Sequence, residues 1–356
     1  MASRQFVMKI LICTQKVDEG DPNNTLGFFI RWLREFSAQC EQVTVIALGT
    51  GTYNLTNNVH IYSLGKEHGA SRFTELVNFY RYIFRERKNY DAVFVHMNPE
   101  YVVLGGFFWR LMGKKVSLWY THKNVDLKLR IAEKLTNIIF TSAPESFNLK
   151  SKKVKVLGHG IDVPLLDAVT GKPDENFFMI LHVGRITKIK NLDVLIEAGK
   201  LLKQKLSKPL KIVLVGGPAT VADQDYLASL KKQTKELGLE QQVEFKGNVP
   251  YTEVAGYMKR ANVTVNLCPT GGLDKTVIES VVCGTPVFVA NEAFGVYFGN
   301  YTEEFMIKYR DPEDLAEKIL KYVGSGNGTA IQELQKDWSE KFGLQKLITK
   351  ITKYLK

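Results

Sequence analysis

Short, almost wholly apolar runs alternate along the chain with longer stretches in which apolar residues recur every three or four positions. "MKILICT" (8–14), "QVTVIAL" (42–48), "DAVFVHM" (91–97) and "KKVSLWYT" (114–121) are of the first kind, and "NIIFTSA" and "VKVLGHGID" close the series. Runs that stay apolar at successive positions suit parallel strands covered on both faces. After the first run comes a polar loop, "QKVDEGDPNN", and then "TLGFFIRWLREFSAQC", which predicts a helix with one apolar face. The rhythm starts again in the second half. There "FFMILHVG" (177–184), "LKIVLVGG", "QVEFKG", "VTVNLCP" and "PVFVAN" are strands, separated by the helices "NLDVLIEAGKLLKQK", "QDYLASLKKQTKELG", "YTEVAGYMKRA" and "TVIESVVCG".

Two successive βα series predict an α/β protein of two doubly wound, Rossmann-like domains facing each other across a cleft. The turn-rich "PLLDAVTGKPDEN" marks the join. It divides residues 1–165 from residues 166–336. The last stretch, "DWSEKFGLQKLITKITKYLK" (337–356), reads as a helix packing back toward the first domain. A length of 356 residues agrees with two cores.

Composition narrows the class. Hydrophobic residues at 45% and charged ones at 24% are those of a globular protein. The run "YVVLGGFFWRLMG", broken by Arg110, is too short to span a bilayer, and "MASRQFVMKILIC" lacks the long apolar core and small-residue cleavage site of a signal peptide. The cysteines Cys13, Cys40, Cys268 and Cys283 are scattered without metal-ligand spacing, so buried free thiols and a reducing, cytoplasmic setting are expected. Residues 1–163 hold 22 Lys/Arg and 14 Asp/Glu, a net +8, against +3 for the rest. Such asymmetry suits either an anionic partner or a solubilising basic surface. No nucleic-acid-binding motif accompanies it.

Ligands of open parallel sheets bind at the carboxyl ends of the strands, which singles out the loops at 15–24, 96–100, 122–124, 184–191, 216–218, 247–250 and 269–276. In "HVGRITKIKNLDVLIEA", Arg185 and Lys190 stand beside Gly184 and a helix start, an arrangement able to clamp a diphosphate. In "GGLDKTVIESVVCGTPVF", Gly271 and Gly272 let backbone amides approach a ligand, and Glu279, one turn into the next helix, could accept a ribose diol. An acid near a helix N-terminus is equally explained by the helix dipole. His122 follows a strand in "LWYTHKN". The aspartates of "DQD" (223–225) are read as helix capping and solvent-exposed rather than metal-binding.

Together these stretches resemble the retaining GT-B glycosyltransferases of family 4 (glycosyl transferases group 1). "VGRITKIKNLDVLIEA" is similar to the family's "GRL-x-x-x-KG-x-x-x-LI-x-A", "TVIESVVCGTPVFV" to its "PLLEAMACGTPVI", and "LGHGID" to its "NGVD". The stretch "VEFKGNVPYTEVAGYMKRANVTVNLCP" resembles the conserved pattern "V-x-F-x-G…Y-x-x-A-D-V-x-V-x-P-S". The resemblance covers nearly the whole chain and is most specific in the second half. It implies that Arg185 and Lys190 hold the diphosphate of a sugar nucleotide and that Glu279 binds its ribose. It further implies that Gly184 and the loop of Gly271, Gly272, Leu273, Asp274, Lys275, Thr276 and Val277 meet phosphate and sugar. His122 would approach the transferred sugar, giving a catalytic set of His122, Arg185 and Lys190, and residues 24–27 would face the donor phosphates. One position departs: where the family often reads "EGFGLPLLE", this chain reads "GGLDKTVIE", so a glutamate expected on the donor sugar is Gly271. Asp274 as hydroxyl acceptor with Lys275 near phosphate is the favoured replacement; Asp274 as helix cap is the alternative.

The implied activity is transfer, with retention, of a sugar from a UDP- or GDP-linked donor to a glycan or lipid-linked acceptor, with no metal and no cofactor beyond the donor. An epimerase acting on a sugar nucleotide, or a non-catalytic sugar-nucleotide-binding protein, are the other readings. "SRFTELVNFYRYIFRERKNY" (71–90) carries Phe73, Leu76, Val77, Tyr80, Ile83 and Phe84 on one helical stripe beside Arg72, Arg81, Arg85, Arg87 and Lys88. It is either a core helix with a solvated basic edge or a helix lying on an anionic membrane surface, the latter giving a peripheral location on the inner face.

Overall fold

The strands of a computed structural model, which describes residues 8–21, 26–270, 272–326 and 328–356, fall into two parallel sheets. They belong to two compact units, Met1–Gly160 with Leu344–Lys356, and Ile161–Gly343.

In the first unit β1 (Lys9–Val17), β2 (Gln42–Thr50), β3 (Val59–Ser63), β4 (Ala92–His96), β5 (Lys115–Trp119), β6 (Ile138–Thr141) and β7 (Val154–Val156) lie in the order β3-β2-β1-β4-β5-β6-β7. Alternate residues of β1 supply opposite faces. Ile10 and Ile12 enter one core with α1 (Phe29–Gln39) and the final helix of the chain. Leu11 and Cys13 enter the other, with α2 (Arg72–Arg85), α3 (Pro99–Leu111) and α4 (Leu127–Leu135). Both faces are covered, which is why these strands read as continuous apolar runs. β1 continues past the expected end at Thr14, because Lys16 and Val17 stay in register with Gly49 and Thr50 of β2. β3, absent from the sequence reading, is a partly buried edge strand whose residues "VHIYS" make too short and mixed a run to stand out.

The second unit opens with α5 (Val163–Ala168). Then β8 (Phe178–Val183), α6 (Leu192–Lys205), β9 (Leu210–Val215), α7 (Val221–Glu236), β10 (Val243–Gly247), α8 (Tyr251–Arg260), β11 (Val263–Asn266), α9 (Lys275–Val282) and β12 (Val287–Val289) build a sheet of order β10-β9-β8-β11-β12. Two single-turn helices, α10 (Gly295–Phe298) and α11 (Thr302–Phe305), and the longer α12 (Pro312–Ser325) and α13 (Thr329–Phe342) follow. Leu315, Ala316 and Ile319 of α12 pack into the same core as α6, and α13 packs on α9.

The chain passes between units at different residues from the expected 165/166 and 336/337. Ile161 is wholly buried and forms a parallel bridge with Gly343, its amide donating to the Phe342 carbonyl at 2.8 Å. That bridge draws α5 and all of α13 into the second unit. Gly343, at φ −58° and ψ 131°, breaks the C-terminal helix, so residues 337–356 are the end of α13 and a separate α14 (Leu344–Leu355). α14 packs on α1, and Thr349 donates to Gln39 at 3.0 Å. The four cysteines are buried and free.

Candidate functional site

β8 lies between β9 and β11, so the order of the second sheet reverses at its carboxyl end, the place where open α/β sheets bind ligands. The loops after β8, β9 and β10 are stitched together there. Gly184 donates to the Val215 carbonyl at 2.9 Å, Ile186 to that of Gly217 at 3.1 Å and Gly216 to that of Gly247 at 2.8 Å. Gly216 has φ 122°, and a Cβ at that position would stand 2.0 Å from the Gly184 oxygen, so no other residue fits the crossing.

After Gly184 the chain makes a short 3₁₀ turn over Lys188–Lys190 and ends it at Asn191, held in the left-handed region at φ 49°. Asn191 is buried. Its amide donates to the Leu267 carbonyl at 2.8 Å and its Oδ1 accepts from Arg310 at 2.8 Å. The β8 loop is thereby tied to the end of β11, and Lys190 is delivered to the loop that precedes α9.

Two ion pairs frame that loop. Lys190 Nζ lies 2.5 Å from Asp274 Oδ2, which also accepts from Asn266 Nδ2 at 2.9 Å. Burial is the largest single influence on Asp274 and pushes its carboxyl up, but Lys190 and Asn266 together outweigh it and hold it below the usual value. Asp274 occupies the N-cap position of α9 without a side-chain cap bond; its carboxylate is spent on Lys190 and Asn266. Lys275 is 3.7 Å from Glu279 Oε1, which accepts from the Tyr251 hydroxyl at 2.8 Å. Burial draws the Lys275 ammonium below the ordinary lysine value against the pull of Glu279, while burial and Glu279 both push the Tyr251 phenol well above 10. Glu279 is 3% exposed, so its carboxylate is fixed by these two neighbours inside the fold. The first amides of α9 lack intrahelical acceptors and add positive potential.

Sequence-derived candidates thus fall into three groups. Gly184, Lys190, Asp274, Lys275, Thr276 and Glu279 converge on the carboxyl edge of the second sheet, with Arg185 exposed in the same loop and in no ion pair among the described residues. Leu273 and Val277 are buried, so they could meet a ligand only through their backbone, and the Gly272 carbonyl accepts from Asn291 at 3.1 Å. Gly271, and residues 24 and 25 of the expected phosphate-facing loop, lie outside the described residues. Asp223 belongs to a capping box with Thr220 at the start of α7. Asn266, Tyr251, Asn191 and His182 went unnoticed in the sequence. The available signal was a polar residue inside an apolar strand for His182 and Asn266.

His122 is exposed after β5 in the first unit, with its ring 5.7 Å from that of Tyr120. It lines a cavity of about 400 Å³ at the carboxyl edge of the first sheet with His96, Asn98, Glu100, Asp126 and Lys128. Met97, at the end of β4, holds a left-handed φ of 64°, a strain of the kind found where backbone is shaped for function.

Residues 167–342 match the family model of the glycosyl transferases group 1. The domain that these residues form is of that family. Among curated relatives, the chain is 31% identical over 117 residues to a human GDP-Man:Man(3)GlcNAc(2)-PP-Dol alpha-1,2-mannosyltransferase, covering 32% of this chain and 24% of that one. It is 25% identical over 211 residues to a D-inositol 3-phosphate glycosyltransferase of Streptosporangium roseum, covering 55% and 48%. The chain therefore spans less than half the length of these relatives. Among solved structures, HepE of Anabaena in complex with UDP-glucose matches with a TM-score of 0.74 at 18% identity, over 98% of this chain and 99% of that one. Sucrose-phosphate synthase of Thermosynechococcus elongatus matches with a TM-score of 0.72 at 14% identity, over 97% and 98%. These two likenesses show the fold, the α/β architecture of two parallel sheets expected of a GT-B enzyme.

Proposed function

We propose that the chain transfers a sugar, with retention, from a UDP- or GDP-linked donor to a glycan or lipid-linked acceptor. The observation that carries this reading is the charge arrangement at the β8 and β11 edges. Arg185 is exposed and in no ion pair among the described residues, Lys190 is fixed by Asp274 at the N-terminus of α9, and Glu279 is buried one turn into that helix against Lys275 and Tyr251. Arg185, Lys190 and the α9 amides take the diphosphate, while the Glu279 carboxylate accepts a ribose hydroxyl. Charge develops on the leaving diphosphate as the glycosidic bond breaks, and fixed cations stabilise it without reorganising. The leaving phosphate oxygen accepts the acceptor's proton on the same face, so no dedicated base is required. His122 serves the transferred sugar from the first unit. No divalent ion enters this scheme, so EDTA should leave turnover unchanged.

The Lys190–Asp274 pair revises the expected role of Asp274. With its carboxylate committed to Lys190 and Asn266, Asp274 orients a phosphate-binding cation rather than serving first as a sugar acceptor. The test is a melting-temperature panel of sugar nucleotides, since a ligand that binds only the folded chain raises the midpoint. One UDP- or GDP-sugar should stand out, and Arg185→Ala should abolish its shift. A panel without any shift would sink the proposal, and turnover of a sugar nucleotide in the absence of acceptor would replace it with epimerisation.

A further inference from the structure

The stripe expected along residues 71–90 divides when folded. Phe79 and Ile83 of α2 are buried in the core, whereas Phe73 is 75% exposed, Val77 48% and Phe84 39%. These three recur at helical spacing on one outward face. On the neighbouring α3, Phe107 is 58% and Leu111 71% exposed, one turn apart. The Phe108 ring joins the two helices, 5.3 Å from Phe84 and 5.6 Å from Phe107, so the exposed apolar side chains form one continuous patch.

Its charged surroundings have one sign. Arg72, Arg81 and Arg110 are exposed and form no ion pair among the described residues. The acids of α2 and its end do not offset them: Glu75 is half-buried, and Glu86 is buried and bonded to Arg85 and Asn89. A helical surface with aromatic and aliphatic tips at its centre and arginines around it has the pattern that inserts apolar side chains at the acyl boundary and holds lipid phosphates at its rim.

We propose that the α2–α3 face docks on an anionic lipid bilayer. The proposal rests on exposure and charge in the first unit and does not depend on the reading of the sugar-nucleotide site. Flotation of the full chain with vesicles tests it. Binding to vesicles of phosphatidylcholine and phosphatidylglycerol in equal parts should exceed that to phosphatidylcholine alone by at least ~10-fold, and should weaken as salt is raised. The double variant Phe73→Glu/Phe107→Glu should lower binding by at least ~10-fold, because it places carboxylates at the lipid boundary. The triple variant Arg72→Gln/Arg81→Gln/Arg110→Gln should bring binding down to the level seen with neutral vesicles. All five positions are exposed, so an unchanged melting temperature is expected. Should the glutamates unfold the chain, the arginine variant decides alone. Equal binding to both kinds of vesicle, or full binding by the arginine variant, overturns the proposal. So does a chain that ignores vesicles yet forms a dimer broken by Phe73→Glu/Phe107→Glu, which would assign the patch to a second copy.

Discussion

The carboxyl edges of the two sheets are built by different means. In the second unit the edge is organised by charge: Lys190 is locked on Asp274, Lys275 faces Glu279, and hydrogen bonds from Asn266 and Tyr251 fix both acids. In the first unit the edge is organised by shape. His96 stacks on Phe29 at 4.2 Å, Met97 is held in a left-handed conformation, and a polar cavity opens beside them. A fixed constellation of ions suits a ligand part that never changes, such as a nucleoside diphosphate. A strained loop around an open cavity suits a part that differs from enzyme to enzyme. The comparison teaches that donor and acceptor functions should be separable by mutation.

The largest effect should come from Arg185→Ala, which removes a cation from the leaving diphosphate and should lower kcat/KM by about 10³-fold. His122→Ala should lower turnover by about 10²-fold and yet leave the donor-induced rise in melting temperature intact. A lost donor shift in His122→Ala would break the proposed division of labour. Glu279→Gln is the next test. The amide oxygen can still accept from Tyr251, but the charge opposite Lys275 is gone. The donor KM should rise about 10-fold, and the melting temperature should fall because a half-buried ammonium no longer faces a carboxylate. Asp274→Asn should act in the opposite sense on binding. Removing a carboxylate beside the phosphate site should tighten free UDP or GDP several-fold in calorimetry, while kcat drops because Lys190 has lost its anchor. Weaker nucleotide binding by this variant would show that orientation of Lys190 outweighs its charge.

Much of the second unit was legible because its chemistry lies in contiguous stretches. Arg185 and Lys190 share one loop, Asp274 to Glu279 share another, and both adjoin strands whose apolar runs announce them. What could not be read was which charge meets which. Nothing in the spacing of Lys190 and Asp274 says that they pair, because the contact depends on β8 and β11 being neighbours. The left-handed turn at Asn191 and the tie from Arg310 are likewise products of tertiary packing. In the first unit the sequence placed strands and the α2 stripe. It merged residues that the fold separates, sending Ile83 inward and Phe73 and Val77 outward, and it left out Phe79, which is buried beside Ile83. Helical periodicity reports that a face is apolar, not that the face is covered.

The last effect is read in stability rather than in turnover or binding and concerns a histidine beneath the charged edge. His182 on β8 is wholly buried, and the Val265 main chain approaches its ring without completing a hydrogen bond to either nitrogen. Burial, and after it the charge of Lys190, lowers its pKa from 6.5 to about 4. Above pH 6.5 the ring is neutral in both folded and unfolded chains, and this contribution to stability is fully present. Between pH 6.5 and 4 the unfolded chain takes up a proton that the folded chain refuses, so stability falls with pH, by about 3 kcal/mol at the lower end. His182→Leu should flatten this part of the stability–pH curve measured by chemical denaturation, leaving the losses below pH 4 in place. A saturating donor should flatten it partly in the wild type, because a bound diphosphate beside Lys190 offsets the charge that opposes protonation. An acid slope that ignored both the His182 variant and the donor would erase the electrostatic contrast between the two edges.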